Sequence, residues 1–520
     1  MTSYNYKSEV FNFHCFFKDF RESENCPRRP LLRSRRSSLI GGIDNVASSG
    51  PLPSTSGGNE NYYSFFYLRC DDFQSSNMPK NQPDYVKAVE GGIQPTQVVE
   101  TKIYKRRWLI LAIFVLYSAS NAMQWIQYSI IANLVIQYYD VSSFAVDMTS
   151  MIYMMTYIPL IFLASYLLDK FGLRFAAVAG ATGTALGAWI KVFSVAPDRF
   201  WVTFLGHTFA AISQTFILSL PARLAAVWFG PDQVSSACSI GVFGNQLGVA
   251  MGFLFPPMLV QSSPDNEVIG HGLSVMFYII AAFTSIVLVL ILLFFKAEPP
   301  LPPSPAQAAQ RDVESSEDFL QSIKRLVTNV GYLLLILSYA INVGIFYAIS
   351  TFLNQIVLEH FPGHEVDAGR IGLTIVCAGM LGSVVCGVVL DKTHKFKETT
   401  LGVYLFSLLG MIVFTFTLDN GKIYVVYITA GLLGFFMTGY LPVGFELAAE
   451  LTYPEPEGTS AGLLNAATQV FGIAFTMLYG YIFSSWGDFI SNIVLCISLV
   501  LGTLLTTIIP NDLRRQNAKL

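Results

Sequence analysis

Charge is what this chain is short of. Only 13% of its 520 residues are Asp, Glu, Lys or Arg, against roughly a quarter in a soluble domain. With 53% hydrophobic residues and a mean hydropathy of +0.50, that shortage excludes a soluble globular fold and leaves a polytopic membrane protein. Cysteine is also scarce. The seven are Cys15, Cys26, Cys70, Cys238, Cys377, Cys386 and Cys496; they lack metal-ligand spacing and suggest no disulfide framework. A net charge of −3 offers nothing to a nucleic acid. The chain has no Gly-x-x-x-x-Gly-Lys-Ser/Thr loop, no His-Glu-x-x-His and no Cys-x-x-Cys, which sets aside that class of ATP-driven pump and the common zinc and dithiol chemistries. Neither an enzyme nor a cofactor is expected. No signal peptide is expected either, because the first 25 residues hold no apolar run with a small-residue cleavage site.

Residues 1–103 differ in kind from the rest. They carry Arg28-Arg29, Arg33, Arg35-Arg36 and a Ser, Gly and Pro run at 48–58. Such a segment cannot bury a core, and it reads as a disordered, solvated tail. Apolar segments follow at about 106–138, 145–168, 173–195, 200–228, 233–260, 272–295, 329–358, 366–390, 398–418, 422–450, 458–485 and 489–510. Each is long enough to span a bilayer, which takes about 20 residues. The polar stretch 297–328, with Pro299, Pro300, Pro302, Pro303 and Pro305, divides them into a half at 104–296 and a half at 329–510, leaving a tail at 511–520. The expected fold is all-α with twelve transmembrane helices. Loop cations number seventeen on one side and four on the other, the four being Lys191, Arg199, Arg370 and Lys422. That asymmetry puts both termini and the linker in the cytosol.

The halves repeat. Leu168-Asp169-Lys170 returns as Leu390-Asp391-Lys392, Leu220-Pro221 as Leu441-Pro442, and Ser236-Ala237 as Ser460-Ala461, at offsets of 222, 221 and 224. Parallel six-helix halves place a substrate site at their interface near the bilayer midplane. Asp169-Lys-Phe-Gly-Leu-Arg174 and its second-half counterpart resemble the cytosolic loop signature of the major facilitator superfamily. A carboxylate at a helix end beside cations can latch two halves, so Asp169, Arg174, Asp391 and Lys392, with Arg223 and Glu446, are candidates for a cytosolic gate.

The middle of the membrane carries amides and no charges. Asn121, Gln124, Gln127, Gln214, Asn245, Gln246, Asn342, Asn465 and Gln469 lie within the apolar segments. The centres of spans one, four, five, seven, eight, ten and eleven hold no Asp, Glu, Lys or Arg. A proton-coupled carrier usually needs a titratable group in its pathway, and an anionic substrate wants a cation there. A cationic substrate without a carboxylate needs aromatic faces, as quaternary ammonium groups do. Trp125, Tyr128, Phe346 and Tyr347 are available. The alternatives are helix packing for each ring and an interhelical hydrogen bond for each amide.

Asn121-Ala-Met-Gln-Trp125-Ile-Gln-Tyr-Ser129, Ile152-Tyr-Met154-Met-Thr-Tyr-Ile-Pro159, Gly187-Ala-Trp189-Ile-Lys191, Leu220-Pro221-Ala-Arg-Leu-Ala-Ala-Val-Trp228-Phe-Gly-Pro231, Gly244-Asn245-Gln-Leu-Gly248 and Leu441-Pro442-Val-Gly-Phe-Glu446 resemble the feline leukaemia virus subgroup C receptor family over residues 104–510. The resemblance implies a major facilitator uniporter of choline and ethanolamine. It implies an ammonium boxed by Trp125 and Tyr347 with Gln214 and Gln469 beside it, and Asn245 and Met154 lining the same cavity. It also raises haem as cargo, since members have been described as haem transporters. A porphyrin with two propionates wants cations and an axial ligand, which the spans do not offer. A third reading is a non-transporting receptor or scaffold. The expected setting is a monomer in the plasma membrane, with an organellar membrane as the alternative. Removal of residues 1–100 separates these readings: a carrier keeps saturable tracer uptake per molecule at the surface, and a scaffold acting through its tail shows none.

Overall fold

A computed structural model describes residues 101–230, 233–303, 319–393, 395–455, 457–512 and 514. Nearly all of the expected tail at 1–103, the middle of the linker and most of 511–520 lie outside the described residues. The helices are α1 (Arg106–Ile126), α2 (Ala132–Tyr139), α3 (Ser143–Val192), α4 (Phe200–Trp228), α5 (Val234–Leu259), α6 (Asn266–Phe294), α7 (Phe319–Thr328), α8 (Val330–His360), α9 (Glu365–Thr393), α10 (Phe396–Thr417), α11 (Ile423–Thr452) and α12 (Glu457–Ile508). The described residues contain no strand.

Among the described residues, eleven helices are long and apolar enough to cross a membrane, one of them the 50-residue stretch Thr459–Ile508. At 1.5 Å per residue that stretch would measure about 75 Å, more than twice the roughly 30 Å hydrocarbon core. It does not run straight. Gly487 sits at φ 81°, ψ 179° and breaks α12 into two crossings, as Gly172 at φ 81°, ψ 175° breaks α3. Counting the two arms of α12 separately, the described residues hold six such segments before the linker and six after it. The protein is a multi-pass membrane protein.

Side chains cap the crossings where the chain turns. Ser142 accepts from Ala145 N at the start of α3, Asp265 from Glu267 N at the start of α6, and Asn329 from Tyr332 N at the start of α8. Each satisfies one of the amides that a helix start leaves without a partner. Arg106 donates to Phe294 O at 2.9 Å and Lys102 N to Pro302 O at 3.1 Å. These bonds tie the start of α1 to the end of α6 and the beginning of the linker. The linker also holds an element that its polarity concealed: α7, whose Leu326 is buried and whose Arg325 pairs with Glu455 at 2.6 Å.

The first span is not the continuous helix expected over 106–138. α1 stops at Ile126, a 3-10 turn covers Ser129–Ile131, and α2 resumes at Ala132. Ile131, at φ −123° and ψ 33°, is off the helical line. Broken helices are tolerated in a membrane only where the freed backbone groups are enclosed by protein, and residues 117–132 are all buried. Such a break marks the site of many carriers.

The backbone at Gly487 is open to glycine alone among the common residues. Gly487→Ala should therefore lower the thermal midpoint of the purified protein. Gly387→Ala, inside α9 with nothing within 4 Å of an added Cβ, should hold or raise it. Scanning fluorimetry of the two variants checks the break.

Candidate functional site

Trp125 is the penultimate residue of α1, just before the break, and Tyr347 sits midway along α8 in the other half. Their ring centroids are 5.5 Å apart at 75°, an edge-to-face pair that leaves aromatic faces uncovered by the partner. Two further elements close on this pair. Gly472 of α12 approaches so tightly that an added Cβ would lie 2.7 Å from Met154 Sδ and 2.8 Å from Tyr347 Cδ2. The glycine thus lets a first-half thioether and a second-half ring meet over its backbone. One turn earlier on the same helix, Gln469 and Thr468 lie near the Tyr347 phenol. Tyr157, one turn beyond Met154 on α3, is also beside Tyr347 and is buried. Sequence reasoning passed over it, although its spacing of three from Met154 puts both on one helical face.

Two other expected residues line the neighbouring helices. Gln214 is half-buried on α4, one turn beyond Ala210, whose carbonyl accepts Asn121 Nδ2 at 2.8 Å. That bond fixes this stretch of α4 against α1. Asn245 is half-buried on α5, between Gly244, which packs on Val115, and Gly248, which packs on Ala119 and Ala122. Its Nδ2 is buried without a hydrogen-bond partner, as are both amide atoms of Asn342 on α8. An amide buried in that way costs about 1–3 kcal/mol, a cost that a ligand oxygen can remove.

Not every central polar residue faces this place. Asn121 Nδ2 is engaged by Thr184 Oγ1 at 3.0 Å as well as by Ala210 O. Gln124 spans Ser120 O and Lys191 Nζ, at 3.0 Å and 2.7 Å. Tyr128 bonds Thr203 Oγ1 at 2.8 Å and packs against His207 and Phe277. These three serve the inside of the first half, where the packing alternative applies. Lys191, counted among the outer loop cations, is buried at 1% exposure. The apolar segment expected over 173–195 contains this residue, and the second arm of α3 carries Lys191 inward against α1 and α4 and not into a loop.

The expected gate residues are at the linker end. Arg174 donates to Leu292 O of α6 at 3.2 Å, within its own half. Arg223, Lys392 and Glu446 are exposed. The side chains of Asp169 and Asp391 lie outside the described ones. At the opposite end, hydrogen bonds join the two halves directly. Gln355 of α8 donates to Asp147 Oδ1 at 3.1 Å and accepts from Ser143 Oγ at 3.2 Å. Ser150 and Thr351 are 2.8 Å apart. Asn133 Nδ2 reaches Glu365 Oε1 at 3.3 Å, and Asn133 N reaches Asn354 Oδ1 at 3.5 Å. Gly369 and Gly372 of α9 pack against Phe253 of α5. This end is closed, and the aromatic pair lies beneath the closure.

Residues 109–477 match the Major Facilitator Superfamily model. Solved structures show the same fold: a D-xylose–proton symporter at TM-score 0.59 and 13% identity, covering 78% of this chain and 99% of that one, and a bacterial homologue of the human lysosomal transporter Spinster at TM-score 0.59 and 14% identity, covering 79% and 98%. A choline/ethanolamine transporter of Danio rerio, flvcr2a, is 53% identical over 430 residues, 82% of this chain and 92% of that one. The choline/ethanolamine transporter FLVCR2 of Homo sapiens is 51% identical over 82% and 81%, and FLVCR1 of Felis catus 49% over 86% and 80%. The chain belongs to the feline leukaemia virus subgroup C receptor family of the major facilitator superfamily.

The closure carries its own test. In a cysteine-free background, Met151→Cys, buried in the wild type, should react faster with a membrane-impermeant maleimide when Asn133→Ala and Gln355→Ala are added. An unchanged labelling rate would show that these bonds do not hold the end shut.

Proposed function

We propose that this protein is a facilitative uniporter of choline and ethanolamine that works by alternating access, with Trp125 and Tyr347 holding the ammonium. One observation carries the reading. A tryptophan of one half and a tyrosine of the other meet beneath a hydrogen-bonded closure, and the groups around them are a thioether, phenols and amides. A ring face attracts an onium ion by about 2 kcal/mol or more when the pair is desolvated. A carboxylate would bind the ion more firmly but would itself have to be desolvated each time the site closed. Gln469 and Gln214 hydrogen-bond the substrate hydroxyl, and Asn245 and Met154 complete the wall. When the closure at Gln355 parts and the linker end latches through Asp169, Arg174, Arg223, Asp391, Lys392 and Glu446, the same rings face the other side.

The linker end is assigned to the cytosol from its loop cations, with both termini there. The working unit is a monomer, because one pair of halves completes the pathway, and the expected address is the plasma membrane. The domain division into 104–296 and 329–510 follows the repeat. Haem is disfavoured as cargo: a porphyrin needs cations for its propionates, whereas rings and amides line the pair. The buried His207 of α4 is walled into the first half between Tyr128 and Tyr153.

Trp125→Ala should abolish saturable choline uptake in a protein that still reaches the surface, and uptake should be indifferent to sodium and proton gradients. Retained uptake would remove the aromatic box. Gln469→Leu should raise the KM for choline by about tenfold, the loss of one hydrogen bond to a charged or desolvated partner. It should leave inhibition by tetramethylammonium, which lacks the hydroxyl, unchanged. Equal weakening of both ligands would place Gln469 elsewhere.

A further inference from the structure

Lys191 is a buried amine in a protein that otherwise keeps charge out of its centre. Its Nζ donates to Gln124 Oε1 at 2.7 Å and lies 3.4 Å from His207 Nδ1 and 5.8 Å from the centre of the Tyr128 ring. Gly206 of α4 packs on the lysine stem, where an added Cβ would sit 2.9 Å from Lys191 Cγ. The amine is thus held by a carbonyl, an imidazole nitrogen and a ring face from two helices. An apolar side chain of equal volume would pack in this place without the desolvation cost of an amine. A contact used only for packing gives no reason for lysine.

The partner it selects supplies the reason. Gln124 immediately precedes Trp125, and the regular helix ends two residues later at Ile126. Beyond that point the backbone passes through the 3-10 turn and gives α1 little further restraint. Successive residues on a helix are turned by about 100°, so anchoring Gln124 on one side of α1 directs Trp125 to another. Gln124 is anchored at both ends, Nε2 on Ser120 O and Oε1 on Lys191. Lys191 therefore sets the rotation of the turn that bears the tryptophan, and Tyr347 receives that ring from across the interface. We propose that Lys191 is a positioning residue for Trp125, acting through Gln124. Its bearing on transport rests on the assignment of Trp125 to the choline site; the positioning itself does not.

The test uses purified full-length protein and transport by the same variants. Lys191→Met leaves Gln124 Oε1 buried and unpaired, a change that can impair folding by itself. Lys191→Met with Gln124→Leu removes both polar partners and restores a folded, surface-expressed protein. Gln124→Glu keeps the bond to the amine. In hydrogen–deuterium exchange, the double variant should exchange about tenfold faster over 121–131, with α6 unchanged, and Gln124→Glu, which keeps the bond to the amine but gives up the one to Ser120 O, should exchange more slowly than the double variant. In uptake, the double variant should show a choline KM raised about tenfold with Vmax at the wild-type level per surface molecule. Wild-type exchange over 121–131 in the double variant would overturn the positioning role, whatever the transport result. Faster exchange in a chain whose wild type takes up no choline would sustain the positioning role and overturn the choline reading.

Discussion

The contact between Trp125 and Tyr347 is the interaction on which the rest of the structure depends. It joins the halves at the level where α1 breaks, and three other features can be read from it. The break lets the first span deliver an indole to the interface and still reach the opposite end with Asn133. The glycine at 472 lets α12 come close against both Met154 and Tyr347. The bonds around Gln355 and Asp147 hold the end above the pair shut. If either ring were turned away, these devices would surround nothing in common.

The second constraint is the accounting of polar groups in an apolar medium. Each amide inside the bundle must find a partner, meet a ligand, or cost free energy. Asn121 and Gln124 have partners within the first half, and they stiffen the helices that carry the site. Asn245 and Asn342 have buried amide atoms without a hydrogen-bond partner. The same accounting makes Lys191 notable, since it spends a buried amine on holding one glutamine beside the tryptophan. Rigid support in one half and unsatisfied groups at the interface are complementary properties of a carrier: the wall must keep its shape while the substrate supplies what it lacks.

Much of this was legible in the chain. The apolar segments, the division at the linker and the internal repeat are one-dimensional signals, each long or duplicated, and they indicate the membrane-spanning architecture directly. Pairing Trp125 with Tyr347 came from family resemblance, because no local pattern relates residues more than two hundred positions apart. Other features were hidden for identifiable reasons. The break at 127–131 leaves hydropathy unchanged, since Ser129–Ile131 is as apolar as what surrounds it. α7 was concealed by the polar linker around it. Tyr157 is one aromatic among many. Lys191 near the end of an apolar segment is indistinguishable, in sequence, from a loop cation.

The chain by itself therefore determined that the protein lives in a membrane, that it is built of two related helical halves, and that rings and amides furnish the centres of its spans. These follow from hydrophobicity, repetition and residue type, which are properties of the residues taken alone. Only the tertiary structure decided which amides are engaged in packing and which are buried without a partner. It also decided which end is shut and that a lysine is buried behind the tryptophan. The physical reason is that a hydrogen bond or a ring contact depends on direction and distance between helices, and a polar residue in a span is compatible with either face until its neighbours are in place.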